Sequence, residues 1–215
     1  MGIYIFNARV MEESLNNEFT DFGKEVIPAT LKNYNVAAYV YDGYWEDIGT
    51  IKSFYDATLD LTSIKPKFNF YDEDNPIYTH NRNLPSSKIN RASLDQVNTS
   101  EGCVITNATI KRSVIGIRSI IESGAYLEGV ICMGADCYET EKEKDDNRKK
   151  GVPNIGIGEK TVIRRAIIDK NARIGCDVSI GMGKVQPDGD YGWYHVVDGI
   201  YVITKNACVP NGTVI

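Results

Sequence analysis

Two histidines, five cysteines and a handful of carboxylates and cations are the side chains in these 215 residues whose types could do chemistry. A histidine can act as a general base near neutral pH. His80 stands in a proline-rich stretch and His195 closes Tyr191-Gly192-Trp193-Tyr194-His195, so neither falls inside a regular repeat. Cys103, Cys132, Cys137, Cys176 and Cys208 are dispersed, and Cys132 and Cys137 have no second pair to complete a tetrahedral zinc site. Gly181-Met182-Gly183 is too short a glycine run to cradle phosphates. Asp47, taken alone, reads as a cap for the helix expected after Gly49-Thr50. Lys149, Lys150, Lys170 and Arg82, taken alone, read as solvated cations.

The elements that must position these groups change character along the chain. Residues 1–61 read as mixed α/β, with a buried strand at Gly2–Phe6, a short helix entry at Asp21–Pro28, a strand at Val36–Tyr41 and a helix at Ser53–Leu61. Residues 62–88, with Pro66, Pro76 and Pro85, read as a linker ordered by Phe68, Phe70, Tyr71 and Tyr78. From residue 89 to 215 the chain is repetitive. Val162, Ile168, Ile174 and Ile180 lie six apart; so do Val104 and Ile110, and Val114, Ile120 and Tyr126. A six-residue period with one aliphatic per repeat predicts a parallel β-helix, in which each short strand turns one aliphatic inward and stacked coils satisfy one another's backbone groups. Between 136 and 153 the repeats are broken by a run that holds twelve charged or polar residues from Glu139 to Lys150, which should project into solvent as a helix or loop.

Apolar residues make up 42% of the chain and charged residues 25%, as in a soluble globular protein. The net charge of −5 offers no basic face for nucleic acid or an anionic membrane. No run approaches the roughly 18 apolar residues of a membrane helix. Met1–Phe6 lacks the basic start of a signal peptide. An odd number of scattered cysteines points to reduced thiols and a cytoplasmic site, or a plastid if the source is a plant.

Several runs together resemble the glucose-1-phosphate adenylyltransferase (ADP-glucose pyrophosphorylase) family. They include Met1-Gly2-Ile3-Tyr4, Tyr44-Trp45-Glu46-Asp47-Ile48-Gly49-Thr50-Ile51, Pro76-Ile77-Tyr78-Thr79, Asn83-Leu84-Pro85, Met133-Gly134-Ala135-Asp136, Gly156-Ile157-Gly158, Ile167–Gly175 and Gly212-Thr213-Val214-Ile215. They occur in family order along nearly the whole chain. The resemblance implies the end of a Rossmann-like nucleotidyltransferase domain followed by a left-handed parallel β-helix. It also implies transfer of an adenylyl group from ATP to glucose 1-phosphate, with release of pyrophosphate, in glycogen or starch synthesis.

By that resemblance, Asp47 helps to hold the catalytic Mg²⁺, a hard cation that takes oxygen ligands, and Trp45 packs beside the sugar pocket. Gly2 matches a position where backbone passes close to ligand. Lys170 matches a contact for an anionic effector metabolite, with Arg82, Lys149 and Lys150 in neighbouring effector regions. The family assembles as homo- or hetero-tetramers through its β-helix. The Gly-rich phosphate loop and the Glu-Lys-Pro element of the family do not occur in this sequence. The chain is therefore expected to begin at an internal methionine and to be inactive alone. The alternatives are a non-catalytic β-helix subunit for regulation and assembly, and a β-helix acyltransferase.

Overall fold

A computed structural model describes residues 2–215; Met1, first residue of the Met1–Tyr4 match, lies outside the described residues. The chain divides into two compact units, one ending at Gly43 and one running from Tyr44 to Ile215.

In the first unit, helix α1 (Ala8–Leu15) starts where the Asn7 side chain accepts from the Arg9 N–H at 3.1 Å. A π-type turn, Phe22–Val26, starts on Asp21, whose carboxylate accepts from the Lys24 N–H at 2.8 Å, and leads into α2 (Ile27–Asn33) with Pro28 in its first turn. That is the helix entry expected from Asp21 to Pro28. The rings of Tyr4, Phe6 and Phe22 meet at 5.7 to 6.4 Å. Both strands expected here are absent. Gly2–Phe6 and Val36–Tyr41 join no ladder, and Ile5 is 99% exposed. A strand needs a neighbour to take its N–H and C=O groups, and no described segment of this unit pairs with either.

In the second unit, helix α3 (Ile51–Asp60) opens with a capping box between Thr50 and Ser53. The segment after it is held in part by ring contacts of Phe68 with Tyr44 and Phe70. The parallel β-helix follows. Ser93 pairs with Thr109, Thr109 with Tyr126, Tyr126 with Val162, and Val162 with Ser179. Each coil therefore takes sixteen or seventeen residues, except the one that carries the charged insertion and the one from Arg173 to its partner Cys208. The first run of each coil forms one sheet (Lys88–Asn90, Val104–Thr106, Ile120–Ile121, Gly156–Ile157, Arg173–Ile174, Cys208–Val209). The second and third runs are single seven-residue strands, Ser93–Thr99, Thr109–Ile115, Tyr126–Cys132 and Val162–Ile168. Each bends at a residue with left-handed backbone: Gln96, Arg112, Gly129 and Arg165. The bend makes two faces of each strand, so every coil has three. Between Ser179–Ile180 and Cys208–Val209 a hairpin is inserted, in which Tyr194–Val197 runs antiparallel to Ile200–Ile203 and is extended by Gly189–Asp190.

The repeat is real, but part of its phase is displaced. Ile110, Ile168, Ile174 and Ile180 point inward as expected. Val104, Val114, Ile120, Tyr126 and Val162 are only half-buried, and the inward residues are their neighbours Ile105, Ile115, Ile121, Leu127 and Ile163, at most 1% exposed. A strand alternates sides with a period of two, so a slip of one residue exchanges inside and outside. A strict six-residue count also fails because the step from Ile163 to Ile168 around a corner is five.

Outward on the third face, Val114 pairs with Ile131, Ile131 with Ile167 and Ile167 with Val202. This apolar column is what α3 covers: Tyr55 and Leu59, flanked by Ile51 and Phe54, pack on Ile131, Ile167, Ile200 and Val202. The Tyr55 hydroxyl donates to the Gly129 carbonyl at 2.6 Å. Gln96, Arg112 and Arg165 tolerate positive φ at the same corner, so φ alone does not demand glycine at 129. A Cβ there would lie 2.9 Å from the Tyr55 hydroxyl, and it is this close approach that does. On the next coil the column turns polar at Asn98, whose amide donates to the Leu61 carbonyl at the end of α3 at 3.1 Å.

The charged insertion contains helix α4 (Glu141–Lys150), with a Thr140/Glu143 capping box, acidic residues in its first turn, basic ones in its last, and Gly151 in the left-handed region as its C-cap. None of its residues is buried, as its composition predicts.

Candidate functional site

Asp47 lies in the exposed segment before α3, and its Oδ1 accepts from the Gly49 N–H at 3.0 Å. The helix itself is capped by Thr50, so Asp47 shapes the entry turn and leaves capping to its neighbour. Beside it, a cleft of ≈ 480 Å³ is lined by Tyr44, Glu46, Lys52, Asp56, Asp60 and Asp198, among others. Asp47 is not among its lining residues. Trp45, expected to pack, is 50% exposed. A Cβ on Gly2 would meet no atom within 4 Å, so no described residue requires glycine there.

Among the described residues, no group of three Asp, Glu, His or Cys side chains converges in a way that could hold a metal. A single carboxylate next to a backbone amide is the donor type Mg²⁺ takes, but Mg²⁺ demands near-octahedral coordination. Asp47 is an oxygen donor of the type Mg²⁺ takes, without converging partners among the described residues that would complete a site.

The cation expected at Lys170 sits in a built cluster. Corner residues of successive coils stack there, and Asn171 and Asn206 both adopt left-handed backbone, at φ 61°. The Asn171 N–H donates to the Gly134 carbonyl and the Asn206 N–H to the Lys170 carbonyl, each at 3.0 Å. Gly134 tolerates no side chain, because a Cβ would fall 2.1 Å from the Ile117 carbonyl oxygen at φ +82°. Onto this frame converge three groups around one carboxylate. Lys170 Nζ donates to Asp136 Oδ1 at 3.0 Å and Lys205 Nζ lies 3.7 Å from Oδ2. Asn171 Nδ2 donates to Oδ2 at 3.0 Å, and its Oδ1 accepts the Asp136 N–H at 2.8 Å. The Asn171 hydrogen bond first, then the Lys170 ammonium, holds the Asp136 carboxyl down to about 2. Two ammonium groups and the Asn171 amide, itself held by Asn206 Oδ1 at 3.2 Å, make an anion-binding arrangement, and in this structure Asp136 occupies it.

Lys205, Asp136, Asn171 and Asn206 escape a reading of single residues. The signal that reveals Lys205 is the repeated Lys-Asn-Ala, at 170–172 and again at 205–207, one coil apart. The other expected effector cations lie elsewhere. Lys149 is on α4 with Asp146 at 3.6 Å, and Lys150 and Arg82 make no ion pair among the described residues. His195 Nδ1 stands 3.4 Å from Asp190 on the inserted hairpin. All five cysteines are free, and burial pushes the Cys103 and Cys132 thiols up, away from reactivity. No helix among the described residues is long and apolar enough to cross a membrane.

Residues 82–214 match the family described as the GLGC left-handed parallel beta-helix domain, and residues 1–64 match the family described as nucleotidyl transferase. The chain is 49% identical over 222 aligned residues to the glucose-1-phosphate adenylyltransferase small subunit, chloroplastic/amyloplastic, of Triticum aestivum. That alignment takes in 100% of this chain and 47% of the relative, so the chain spans about half the relative's length.

Proposed function

The chain belongs to the family of the GLGC left-handed parallel β-helix domain, and from that premise we propose that it forms part of a glucose-1-phosphate adenylyltransferase. That enzyme joins ATP and glucose 1-phosphate to give ADP-glucose and pyrophosphate for glycogen or starch synthesis. The observation that carries the proposal is the similarity to the wheat small subunit, which runs through both units rather than the β-helix alone. The relative's plastid designation extends to this chain as part of the same proposal if the source is a plant.

In this reading the segment around Asp47 supplies one carboxylate to the transfer site, and Trp45 lines the sugar pocket. Mg²⁺, when bound, supplies positive charge against the phosphates in transfer. Asp47 would be one of its ligands, kept in place by the Gly49 amide and the capped start of α3. The corner cluster is the regulatory half. A phosphate-bearing effector carries more charge and more acceptor oxygens than one carboxylate, so it would displace Asp136 and take Lys170 and Lys205 for itself. Lys149, Lys150 and Arg82 would extend that reach only if the effector is large. The β-helix also serves assembly, to a homo- or hetero-tetramer.

Residues 2–215 contain no Gly-rich phosphate loop and no Glu-Lys-Pro. Transfer without them loses substrate positioning and charge stabilisation together. The isolated chain should therefore release no pyrophosphate from ATP and glucose 1-phosphate. A chain extended to the full span of the relative should do so, and Asp47→Asn should lower its kcat at least about a hundredfold with an unchanged melting temperature. An extended chain that is inactive, or an Asp47→Asn rate equal to wild type at saturating Mg²⁺, would overturn the enzymatic reading. The first of these results would favour the non-catalytic subunit.

A further inference from the structure

We infer that residues 136–138 form a strap along one corner of the β-helix, tying the Asp136 cluster to the turn where the linker enters the first coil, and that an anion taking the place of the Asp136 carboxylate loosens this tie. The inference rests on the reading of the cluster as an anion site and names the element that its occupation moves.

The corner joins the third face of each coil to the first face of the next, and its turns are stacked by backbone hydrogen bonds. The Asn206 N–H donates to the Lys170 carbonyl and the Asn171 N–H to the Gly134 carbonyl, each at 3.0 Å. The Ala135 N–H then donates to the Ile117 carbonyl at 2.9 Å, and the Arg118 N–H to the Glu101 carbonyl at 3.2 Å. Asp136, Lys170 and Lys205 stand at one end of this stack. Gly102 stands at the other, and its N–H donates at 2.8 Å to the carbonyl of Pro85, near the end of the linker.

Tyr138 passes over the turn between them. Its hydroxyl donates to the Gly102 carbonyl at 2.7 Å, and its ring lies 6.0 Å from the Arg118 guanidinium of the intervening turn. Gly102 is shaped for this approach: its φ is +73°, and a Cβ there would fall 2.4 Å from the Tyr138 hydroxyl. Tyr138 itself is 41% exposed, so the hydroxyl bond, more than burial, fixes where it sits.

Both ends of the strap are held. The Ala135 carbonyl accepts from Arg118 Nη1 at 3.3 Å, and Glu139 is held by its Arg173, Asn147 and Ile155 donors. When an anion takes Lys170 and Asn171 from the Asp136 carboxylate, the change must be taken up between these two anchors. Tyr138 carries it to Gly102. Linkage then demands the converse: breaking the Tyr138 clasp must favour anion binding by the same factor by which the anion loosens the clasp. A tyrosine that merely packs gives no such gain.

The full chain with inorganic phosphate as probe tests this by NMR. Phosphate binding is followed at the Asp136 carboxyl resonance and the clasp by hydrogen exchange of the Gly102 amide. Saturating phosphate should speed Gly102 exchange about fivefold, the worth of one hydrogen bond. Tyr138→Phe, which keeps the ring, should speed it about as much without phosphate. In that variant phosphate should add nothing further at Gly102, and the phosphate dissociation constant should fall about fivefold. Asp136→Ala should speed Gly102 exchange without phosphate. Exchange at the fully buried Ile163 should stay unchanged throughout. Phosphate that moves the Asp136 resonance but leaves Gly102 exchange as it was, or a Tyr138→Phe chain that binds phosphate no more tightly than wild type, would overturn the strap and leave the anion site standing. A wild-type Asp136 resonance that phosphate does not move would overturn the anion site and the strap with it.

Discussion

Replacing Glu139 with alanine is expected to loosen the whole charged insertion from the β-helix. The Glu139 side chain is 6% exposed and its carboxylate collects three donors, each at 2.7 Å: Arg173 Nη1, Asn147 Nδ2 and the Ile155 N–H. These come from the coil, from α4 and from the segment that returns to the coil, so one carboxylate ties the insertion at its base. Removing one partner of a buried charge pair costs about 3–5 kcal/mol. Arg173 keeps its hydrogen bond to the Pro153 carbonyl and is 24% exposed, which places the loss at the low end, about 3 kcal/mol. For a domain of this size that corresponds to a fall in melting temperature of roughly 6–12 °C. Differential scanning calorimetry measures it, and limited proteolysis between residues 139 and 155 should speed up in parallel. Glu139→Gln keeps one acceptor oxygen but turns an amide N–H₂ toward a donor, so it should recover less than half of the loss. A melting shift below about 2 °C, with unchanged proteolysis of the insertion, would refute the anchoring role.

Three further outcomes are expected. The Asp136 carboxyl, followed by NMR, should titrate near 2 instead of the ordinary 3.8, and move upward in Asn171→Ala and Lys170→Ala. Its folded value lies below the unfolded one, so its contribution to stability is present above about pH 4 and lost as pH falls toward about 2. A midpoint near 3.8 would show that the cluster does not form in solution. Leu59→Ala, which opens a cavity between α3 and the apolar column of the third face, should cost about 2–4 kcal/mol in urea unfolding, whereas unchanged stability would mean that α3 is not docked there. In an active, full-span enzyme, Lys170→Ala and Lys205→Ala should each raise the effector concentration for half-activation with basal rate kept; an unaltered activation curve for either would remove it from the effector site.

Periodicity and motif order in the sequence alone determined a good deal. A six-residue aliphatic repeat survives any detail of packing, because each coil must bury its inward column against the next. The composition of residues 139–150 likewise foretold a solvated helix, since nothing in it can pay for burial. Asp47 and Lys170 stood out as candidates because each lies in a distinctive run of residues. Tertiary structure alone decided which of two adjacent aliphatics faces inward, as at Val114 and Ile115, because corners of variable length shift the phase and a one-residue shift inverts the strand. It also decided that Gly2–Phe6 and Val36–Tyr41 are not strands, since a strand exists only with a partner. The Asp136 cluster was invisible along the chain for a related reason. Asp136, Lys170 and Lys205 come from three successive coils, and only the stacking of coils brings their charges within reach of one another.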